Sequence, residues 1–500
     1  MSKRDHLIWI DAQEVAAADG STFEVENPAT GEVAFEVAHG KTADIDRAVA
    51  AARRAADEGP WPQMHPRERG PILRRAAELL RARRSELADV EVRSTGRPMR
   101  EMHQQVGRTA DWLDFFASVA ETHEDRVVPA IGNLLNYVRR VPVGVVGQIT
   151  PWNHPLLITM KKVAPALAAG NTIVVKPSEV APVAPIELGR LLNEAGVPPG
   201  VVNVVPGFGA EAGKALSEHR GIDKLDLTGG TETGRHIAAA GGRNLIPVQA
   251  ELGGKAPVLV FEDVPIASAV AGATFATFVA SGQSCIAGAR LLVQRTRYEE
   301  LLRALIDRVS SIRVGDPMDP DTQMGPLASK QQLARVMELV TSARDEGATI
   351  LCGGDRLGGD IFDNGYFFAP TLIADVRQDM RIMREEVFGP VLTVQSFEDE
   401  DEAVELANDS DFGLGAAVWT NDLKRGHLVA QRIRSGSVWI NDHHRVDPAS
   451  PWGGFKDSGV GSENGVVAYN DYTIQQSILV NLDRGSFDWF APEARDLRYS

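Results

Sequence analysis

Residues 143–177, VGVVGQITPWNHPLLITMKKVAPALAAGNTIVVKP, place an Ala- and Leu-rich segment between two short β-branched runs. Runs of the same kind recur at 201–207 and 223–230, with another Ala-containing segment between them. Such segments suit helices that cross over from one strand to the next. The alternation predicts an α/β fold built on a parallel, doubly wound sheet.

The flanking regions extend this pattern. Residues 41–120 read as helical, with glycines as stop signals. A second series of strands and helices begins near residue 255 and ends with GSVWIN at 436–441, which predicts a second α/β domain. Two outlying segments, 127–144 and 473–483, predict strands of a kind that often pair across subunits.

Composition limits the possible functions. At 500 residues the chain is long enough for two or three domains with a large buried site between them. The net charge of −16 disfavours binding to nucleic acid, and no run of about 18 apolar residues predicts a membrane span. The N-terminus shows no signal-peptide core, and only Cys285 and Cys352 are available for disulfides. We therefore expect a cytoplasmic protein.

Three residues are candidates for nucleophilic chemistry. Cys285, in FVASGQSCIAGAR, has small neighbours that leave room for a substrate, although an isolated cysteine is more commonly a buried structural thiol. Glu251 precedes it by 34 residues in an apolar, glycine-rich stretch, where desolvation raises the pKa of a carboxyl group and suits it to general-base catalysis. A surface glutamate or a helix-capping partner is the alternative. Asn153 follows a predicted strand and is either an oxyanion donor or a turn residue.

Two glycine clusters compete as a dinucleotide site, and both follow predicted strands. GFGAEA at 207–212 fits the pattern GxGxxA, which is a weak signal by itself. LTGGTETG at 227–234 places Gly229 and Gly234 ahead of a helical segment, so that its backbone amides face a pyrophosphate. We favour the second cluster.

Seven motifs occur in the order and approximate spacing found in the aldehyde dehydrogenase superfamily, and together they span nearly the whole chain. They are ITPWNHPL (149–156), VVKPSE (174–179), LTGGTETG (227–234), ELGGKAP (251–257), GQSC (282–285), EEVFGPV (385–391) and PWGGFKDSG (451–459). The chain resembles that family, and the joint pattern outweighs the alternatives for each residue taken singly.

The resemblance implies a domain plan. A Rossmann-like NAD-binding domain is formed by residues 1–126 and 142–252, and an α/β catalytic domain by residues 253–456. A small β oligomerisation arm is formed by residues 127–141 and 474–500. The same resemblance implies a homodimer or homotetramer.

It also implies NAD-dependent oxidation of an aldehyde to a carboxylic acid through a cysteine hemithioacetal and a thioester. By motif position, Cys285 resembles the nucleophile, Glu251 the base that activates the hydrolytic water, and Asn153 the oxyanion donor. Lys162 resembles a lysine that supports the site, and Glu463 resembles a glutamate associated with proton release. The cofactor contacts carried over from the motifs are Trp152, Lys176, Ser178, Glu179, Gly209, Gly229, Gly230, Gly234, Glu386 and Phe388.

Two of these positions bear on which cofactor is bound and how its pyrophosphate is held. A carboxylate at Glu179 accepts hydrogen bonds from a ribose and repels a 2′-phosphate, so we expect NAD rather than NADP. Gly230 stands where relatives usually carry a serine, which removes one side-chain donor to the pyrophosphate.

Departures from the family bear on the substrate. His154 stands where an aromatic residue is common, and Lys161 stands where a tunnel tryptophan is frequent. A cationic Lys161 favours a carboxylate-bearing aldehyde and weakens an aromatic box for a quaternary ammonium, unless the lysine extends into solvent. In contrast, Trp452 and the ending VNLDRGSFDWF at 480–490 resemble the betaine-aldehyde branch.

Other functions remain as alternatives. A coenzyme A-acylating or reductive enzyme on the same fold is disfavoured by Glu251, which acylating relatives typically lack. A non-catalytic structural relative is disfavoured by the joint presence of Cys285, Glu251 and Asn153. His443 and His444 lack a second ligand pair, which predicts a loop rather than a metal site, and Cys352 is predicted to serve packing.

Overall fold

The structure is a computed structural model that describes residues 6–482 and residue 490. The predicted arm segment 474–500 and the ending at 480–490 therefore lie partly outside the described residues.

The described chain forms strands β1 (Ile8–Ile10), β2 (Gln13–Val15), β3 (Thr22–Glu26), β4 (Val33–Ala38), β5 (Arg126–Val128), β6 (Leu134–Pro142), β7 (Val145–Thr150), β8 (Thr172–Pro177), β9 (Val202–Val204), β10 (Lys224–Thr228), β11 (Val248–Glu251), β12 (Pro257–Val260), β13 (Arg290–Gln294), β14 (Thr349–Cys352), β15 (Thr371–Ala374), β16 (Val391–Phe397), β17 (Phe412–Gly413), β18 (Gly415–Trp419), β19 (Ser437–Ile440), β20 (Phe455–Lys456), β21 (Gly459–Val460) and β22 (Thr473–Asn481).

Its helices are α1 (Thr42–Asp57), α2 (Pro66–Ala82), α3 (Arg84–Thr95), α4 (Met99–Thr122), α5 (Pro155–Ala169), α6 (Val183–Ala195), α7 (Lys214–Glu218), α8 (Thr231–Asn244), α9 (Ile266–Phe278), α10 (Tyr298–Ser310), α11 (Lys330–Asp345), α12 (Arg381–Arg384), α13 (Glu400–Asn408), α14 (Leu423–Arg432) and α15 (Gly465–Asp471). The predicted helical region 41–120 is confirmed as α1 to α4. No helix among the described residues is long and apolar enough to cross a membrane.

The first large sheet has eight strands in the order β2-β1-β9-β8-β7-β10-β11-β21. Five neighbouring strands of this sheet run parallel, in the order β9, β8, β7, β10 and β11. This confirms the predicted doubly wound sheet. Strands β8 and β10 are buried along their whole length, as expected where helices cover both faces of a parallel sheet. One face packs against α5 and α6, and the other packs against α1 and α8.

The second large sheet has seven strands in the order β14-β15-β16-β13-β12-β18-β19. All neighbours are parallel except β14, which pairs antiparallel with β15. The strands of this sheet lie within the second series of strands and helices that the sequence predicts. The small antiparallel sheet β22-β6-β5 stands apart from both, and β22 pairs with β6 of the same chain along nine residue pairs from Thr473 to Asn481. This confirms the strands predicted at 127–144 and 473–483.

Arg290 fixes the start of β13 to the neighbouring helix α13. Its side chain is buried, and its guanidinium donates to the carbonyl oxygens of Lys255 at 3.1 Å, Leu406 at 2.9 Å and Ala407 at 2.8 Å. The last two are carbonyls from the final turn of α13, which have no partner within their own helix. One buried cation at the start of β13 therefore satisfies carbonyls from a helix end and from the segment before β12.

We expect Arg290→Met to lower the free energy of unfolding by about 3 kcal/mol, because it leaves several buried carbonyls without a donor. Urea titration followed by intrinsic fluorescence measures the shift. Arg295→Met is the matched control, since Arg295 sits at the other end of β13 in an exposed pair with Glu398 and should change stability by less than about 0.5 kcal/mol. Equal shifts for the two variants would contradict the role given to Arg290.

Candidate active site

Half of the residues predicted for the site lie at the carboxyl ends of the parallel strands in the first sheet, where ligands bind in doubly wound folds. They are Trp152 and Asn153 after β7, Lys176, Ser178 and Glu179 at the end of β8, Gly209 after β9, Gly229 and Gly230 after β10, and Glu251 at the end of β11. The sheet thus brings together motifs that are about a hundred residues apart in sequence.

The second sheet contributes the loops that precede its strands. Cys285 lies in the loop before β13, and Glu386 and Phe388 lie before β16. The two sheets meet closely, since a Cβ atom on Gly254 would stand 2.0 Å from the Cys285 carbonyl oxygen. The Gly254 amide also donates to Glu386 Oε1 at 2.8 Å. Glycine at 254 is what allows the Glu251 segment to approach the cysteine loop.

A cavity of about 610 Å³ opens at this junction. Six of the residues predicted for catalysis or the substrate tunnel line it, namely Cys285, Glu251, Glu463, His154, Lys161 and Trp452. Asn153 and Lys162 are buried beside it without forming its wall. The structure therefore gathers the predicted catalytic and tunnel residues around one space.

The loop that carries Cys285 is held in an uncommon conformation. Ala280, Ser281 and Gly282 follow one another in the left-handed region, with φ of 55°, 53° and 71°. For the two that are not glycine, Ala280 and Ser281, this conformation costs of order 1–3 kcal/mol each and persists only where the surroundings hold it. Here the Ser281 hydroxyl donates to the Gly325 carbonyl at 2.9 Å, and the Gln283 side chain accepts from the Ala328 amide at 2.9 Å.

Asn153 is tied to the same loop. Its Nδ2 donates to the Gln283 carbonyl at 3.0 Å, which uses one of the two hydrogens on that amide nitrogen. The Cys285 backbone amide makes no hydrogen bond to another described residue. One hydrogen on Asn153 Nδ2 and the backbone hydrogen of Cys285 are therefore not used by other described residues.

Burial controls the ionisation of the cysteine. Desolvation raises the pKa of the Cys285 thiol to about 12, against the opposing positive charge of Lys161. The resting group at neutral pH is therefore the thiol. The Lys161 ammonium is the charge that most favours the thiolate.

Glu251 is buried, and neither of its carboxylate oxygens has a hydrogen-bond partner among the described residues. Burial and then the negative charge of Glu463 raise its pKa well above the usual value, with Lys161 and Lys162 acting in the opposite direction. A buried carboxyl group without a partner, facing a cavity, is the arrangement expected for a general base.

A buried network of charges underlies the cavity. Glu463 forms an ion pair with Lys161 at 2.6 Å and accepts a hydrogen bond from Lys162 at 2.5 Å, and Lys162 also reaches Asp226 at 2.5 Å. The Tyr472 hydroxyl donates a hydrogen bond to Asp226. Although burial raises the pKa of Glu463, the two lysines outweigh it and hold that pKa at about 2.

This network changes the interpretation of Lys161. The alternative that its side chain extends into solvent is wrong, because the side chain is only 8% exposed. Its ammonium is paired with Glu463 and lies 4.6 Å from the centre of the Trp452 ring. The predicted cation therefore lines the cavity, but its charge is already balanced.

Some members of the site were missed by the sequence analysis. Asp226 stands in the buried strand β10, and an acidic residue inside such an apolar strand was an available signal. Tyr472 carried no comparable signal. Arg97 is buried, pairs with Glu101 at 3.0 Å and approaches His154 Nδ1 at 2.5 Å. Burial and then the Arg97 charge lower the pKa of His154 well below its usual value, so this imidazole is neutral.

The predicted dinucleotide contacts leave room for a ligand. No atom lies within 4 Å of the position that a Cβ would take at Gly209 or Gly230. Gly230 is the N-cap of α8, and no side chain caps that helix, so its first amides are available to an anion. The residues present therefore fit a pyrophosphate at this edge.

Among the other predicted cofactor contacts, some side chains contact one another and one glycine serves packing. Lys176 Nζ lies 3.1 Å from Glu179 Oε2, and the Trp152 and Phe388 rings meet edge to face at 5.3 Å. Gly234 serves packing, since a Cβ there would stand 2.5 Å from Leu252 Cδ2. The close approach of α8 to β11 explains that glycine.

His443 and His444 lie in a loop, as predicted, and their Nε2 atoms contact the carbonyl oxygens of Ile286 at 2.7 Å and Ala276 at 2.8 Å. Among the described residues, no three His, Cys, Asp or Glu side chains are grouped as a metal site would require. Cys352 packs against the core beneath the second sheet, which confirms its predicted packing role.

Comparison with known proteins agrees with this geometry. The sequence pattern of the Aldehyde dehydrogenase family matches residues 15–478. The Bacillus subtilis (strain 168) protein DhaS is 40% identical over 477 residues, which cover 95% of this chain and 96% of that protein.

Two solved structures have nearly the same fold. Betaine aldehyde dehydrogenase from Staphylococcus aureus in complex with NAD+ is 39% identical, with a TM-score of 0.95 and 97% of each chain covered. The NAD+ complex of an aldehyde dehydrogenase from Bacillus cereus is 41% identical, with a TM-score of 0.94, and covers 96% of this chain and 97% of its own. The resemblance carried by the seven motifs is confirmed, and the chain belongs to the aldehyde dehydrogenase family.

Proposed function

We propose that this protein oxidises an aldehyde to a carboxylic acid with NAD, through a thioester on Cys285 that water hydrolyses. The observation that carries the proposal is the placement of Cys285 and Glu251, from different sheets, in the wall of one cavity. A nucleophile and a base that share a closed space are the two groups that acyl transfer to water requires.

Acylation begins at the Cys285 sulfur, which passes its proton to water entering the cavity and attacks the carbonyl carbon. The positive charge of Lys161 favours the thiolate in this buried setting. The carbonyl oxygen gains negative charge as the new bond forms. The free hydrogens on Asn153 Nδ2 and the Cys285 amide stabilise that charge.

The dinucleotide would be held along the carboxyl edge of the first sheet. Gly209 and Gly230, where the space beside the backbone is open, would face its pyrophosphate together with Gly229, and Glu179 would accept from the adenosine ribose. The carboxylate of Glu179 would repel a 2′-phosphate, which favours NAD over NADP. When bound, NAD supplies the acceptor for the hydride removed from the substrate carbon.

Hydrolysis completes the cycle. Glu251 removes a proton from the attacking water, and the thioester carbon takes the oxygen as Cys285 leaves. Glu463 stays ionised between its two lysines, and its charge keeps the pKa of Glu251 high enough to return that proton. Lys162 supports the site by holding Glu463 and Asp226 in place.

We propose that the chain works as a homodimer or homotetramer in the cytoplasm. The small sheet of β5, β6 and β22 exposes several apolar side chains, with Val127 at 70% and Leu479 at 60% exposure. Open sheet edges with apolar side chains are suited to pairing between subunits. A reducing compartment keeps the nucleophilic thiol available.

We expect Cys285→Ala to reduce NADH formation by at least about a thousandfold, because the proposed thioester forms on the Cys285 sulfur. Spectrophotometric assay at 340 nm over a panel of aldehydes measures this loss. Cys352→Ala is the matched control and should retain activity within about twofold. Activity in the Cys285 variant equal to that of the control would rule out the assigned nucleophile.

Glu251→Gln should let Cys285 become acylated but slow the release of acid by about a hundredfold or more. The expected signature is a burst of one NADH per subunit, with an acyl adduct on Cys285 detected by intact-protein mass spectrometry. Glu405→Gln, at an exposed position on α13, should show steady turnover without an adduct. Full steady-state activity in Glu251→Gln would contradict its role as the base.

The raised pKa of Glu251 predicts a pH dependence for hydrolysis. The base form is lost as the pH falls through that raised pKa, so the single-turnover hydrolysis rate should climb with pH in a range above the usual carboxyl value. Because the Glu463 charge raises the pKa of Glu251, Glu463→Gln should move the rising limb to lower pH. Rapid-quench of the acylated enzyme measures the hydrolysis rate at each pH. A rising limb at the same pH in both enzymes would show that a group other than Glu251 titrates.

A further inference from the structure

The mouth of the cavity carries an unusual set of cations. Arg100, Gln104 and Arg108 line it from α4, and Arg308 lines it from α10. Positions 100, 104 and 108 are each separated by four residues, so these side chains form one stripe along the helix. All three arginines are exposed.

The three arginines have no acidic partner among the described residues. Within the described part of the chain, the one hydrogen bond made by these guanidinium groups runs from Arg308 Nη1 to Ser311 Oγ at 3.2 Å. The nearby carboxylate of Glu101, which also lines the cavity, is engaged by Arg97 at 3.0 Å. Deeper in the cavity, Glu463 balances Lys161. The positive charge at the mouth is therefore not balanced by the acids that line the same space.

This local excess is opposite in sign to the whole molecule. The chain has a net charge of −16, and most of its other arginines have carboxylate partners, such as Arg81 with Asp111 and Asp114. Unpaired arginines around a single opening thus stand out against an acidic surface. Charge of one sign around a concave opening attracts ligands of the other sign.

Part of the cavity wall is apolar. Leu157 and Ile158 from α5, Phe275 and Phe278 from α9, and Ile312 after α10 belong to this part. A chain of methylene groups or a ring suits such a wall better than a polar linker does. The cavity therefore combines the buried thiol, an apolar part of its wall and exposed cations.

We infer that the substrate is an aldehyde whose far end carries an anionic group, a carboxylate or a phosphate, which Arg100, Arg108 and Arg308 bind at the mouth. The inference rests on the proposed function and adds the substrate class. Guanidinium groups bind both anions through paired, charge-assisted hydrogen bonds.

A quaternary ammonium fits this cavity poorly. The unpaired arginines repel a cation, and the face of Trp452 that would receive it is already covered by the Lys161 ammonium at 4.6 Å. The sequence analysis assigned the preference for an anionic substrate to Lys161. The structure assigns it instead to arginines on α4 and α10.

The test compares six-carbon aldehydes that end in a methyl, carboxylate, phosphate or trimethylammonium group. We expect kcat/KM for an anionic member to exceed that for the methyl member by at least about tenfold, as one charge-assisted hydrogen bond would provide. The preference should shrink as sodium chloride is raised from 50 to 500 mM. The carboxylate and phosphate arms identify which anion is preferred, and a preference for the neutral or cationic member overturns the inference.

Variants localise the effect. Arg108→Gln and Arg308→Gln should each raise KM for the preferred anionic aldehyde about tenfold and lower its advantage over the methyl member. Arg303→Gln is the matched control on α10, since Arg303 is 78% exposed and does not line the cavity. An equal loss in all three variants, or none in any, would overturn the assignment to the mouth.

A binding measurement separates this inference from the proposed function. Six-carbon ω-hydroxy acids, which cannot be oxidised as aldehydes, should slow alkylation of Cys285 by iodoacetamide more than hexanol does, and Arg108→Gln should abolish that difference. Protection without oxidation of any aldehyde would support the anion site and refute the proposed function. If all aldehydes are oxidised at similar kcat/KM and the hydroxy acids give no selective protection, the proposed function is supported and the anion site is refuted.

Discussion

The pairing of Glu463 with Lys161 and Lys162 is the interaction on which the rest of the site depends. All three side chains are buried, and their contacts of 2.6 and 2.5 Å extend through Lys162 to Asp226 and Tyr472. Removing one partner of such a group leaves a buried charge uncompensated, at a cost of roughly 3–5 kcal/mol. Burial raises the pKa of both reacting groups, and the same charges adjust it, because Lys161 favours the Cys285 thiolate and Glu463 raises the pKa of Glu251 further.

Geometry at the junction of the sheets complements this electrostatic arrangement. The left-handed residues before Cys285 are strained, and hydrogen bonds from Ser281 and Asn153 hold them against relaxation. The glycines at 254 and 282 let backbone approach backbone, since a Cβ on Gly282 would stand 2.1 Å from the Gly389 carbonyl oxygen. Donors fixed in this way need no reorganisation when charge develops on a substrate oxygen, which is the condition for effective transition-state stabilisation.

The sequence allowed prediction of whatever is encoded locally. The β-branched runs identified the central parallel strands, and the motifs identified Cys285, Glu251 and Asn153 as residues that the structure brings to one junction. Strands β1 to β4 were not predicted, because short edge strands such as β2, with two of its three residues exposed, carry little periodic signal. The partner of Lys161 was beyond sequence reasoning, since Glu463 is about three hundred residues away and only the folded chain shows that it neutralises the lysine. The arginine stripe on α4 was missed because a pattern of exposed basic residues usually marks a solvated helix face.

The acidic character of the whole chain does not prevent anion recognition at one opening. At physiological ionic strength the Debye length is about 8 Å, so distant carboxylates are screened while charges that line the same mouth are not. The field felt by an entering group is therefore set by Arg100, Arg108 and Arg308 rather than by the net charge of −16. Glu463 contributes indirectly, because by holding Lys161 it keeps the reactive end of the cavity balanced. Charge recognition then acts at the mouth, away from the thiol, and an anionic end held there leaves the aldehyde directed toward Cys285.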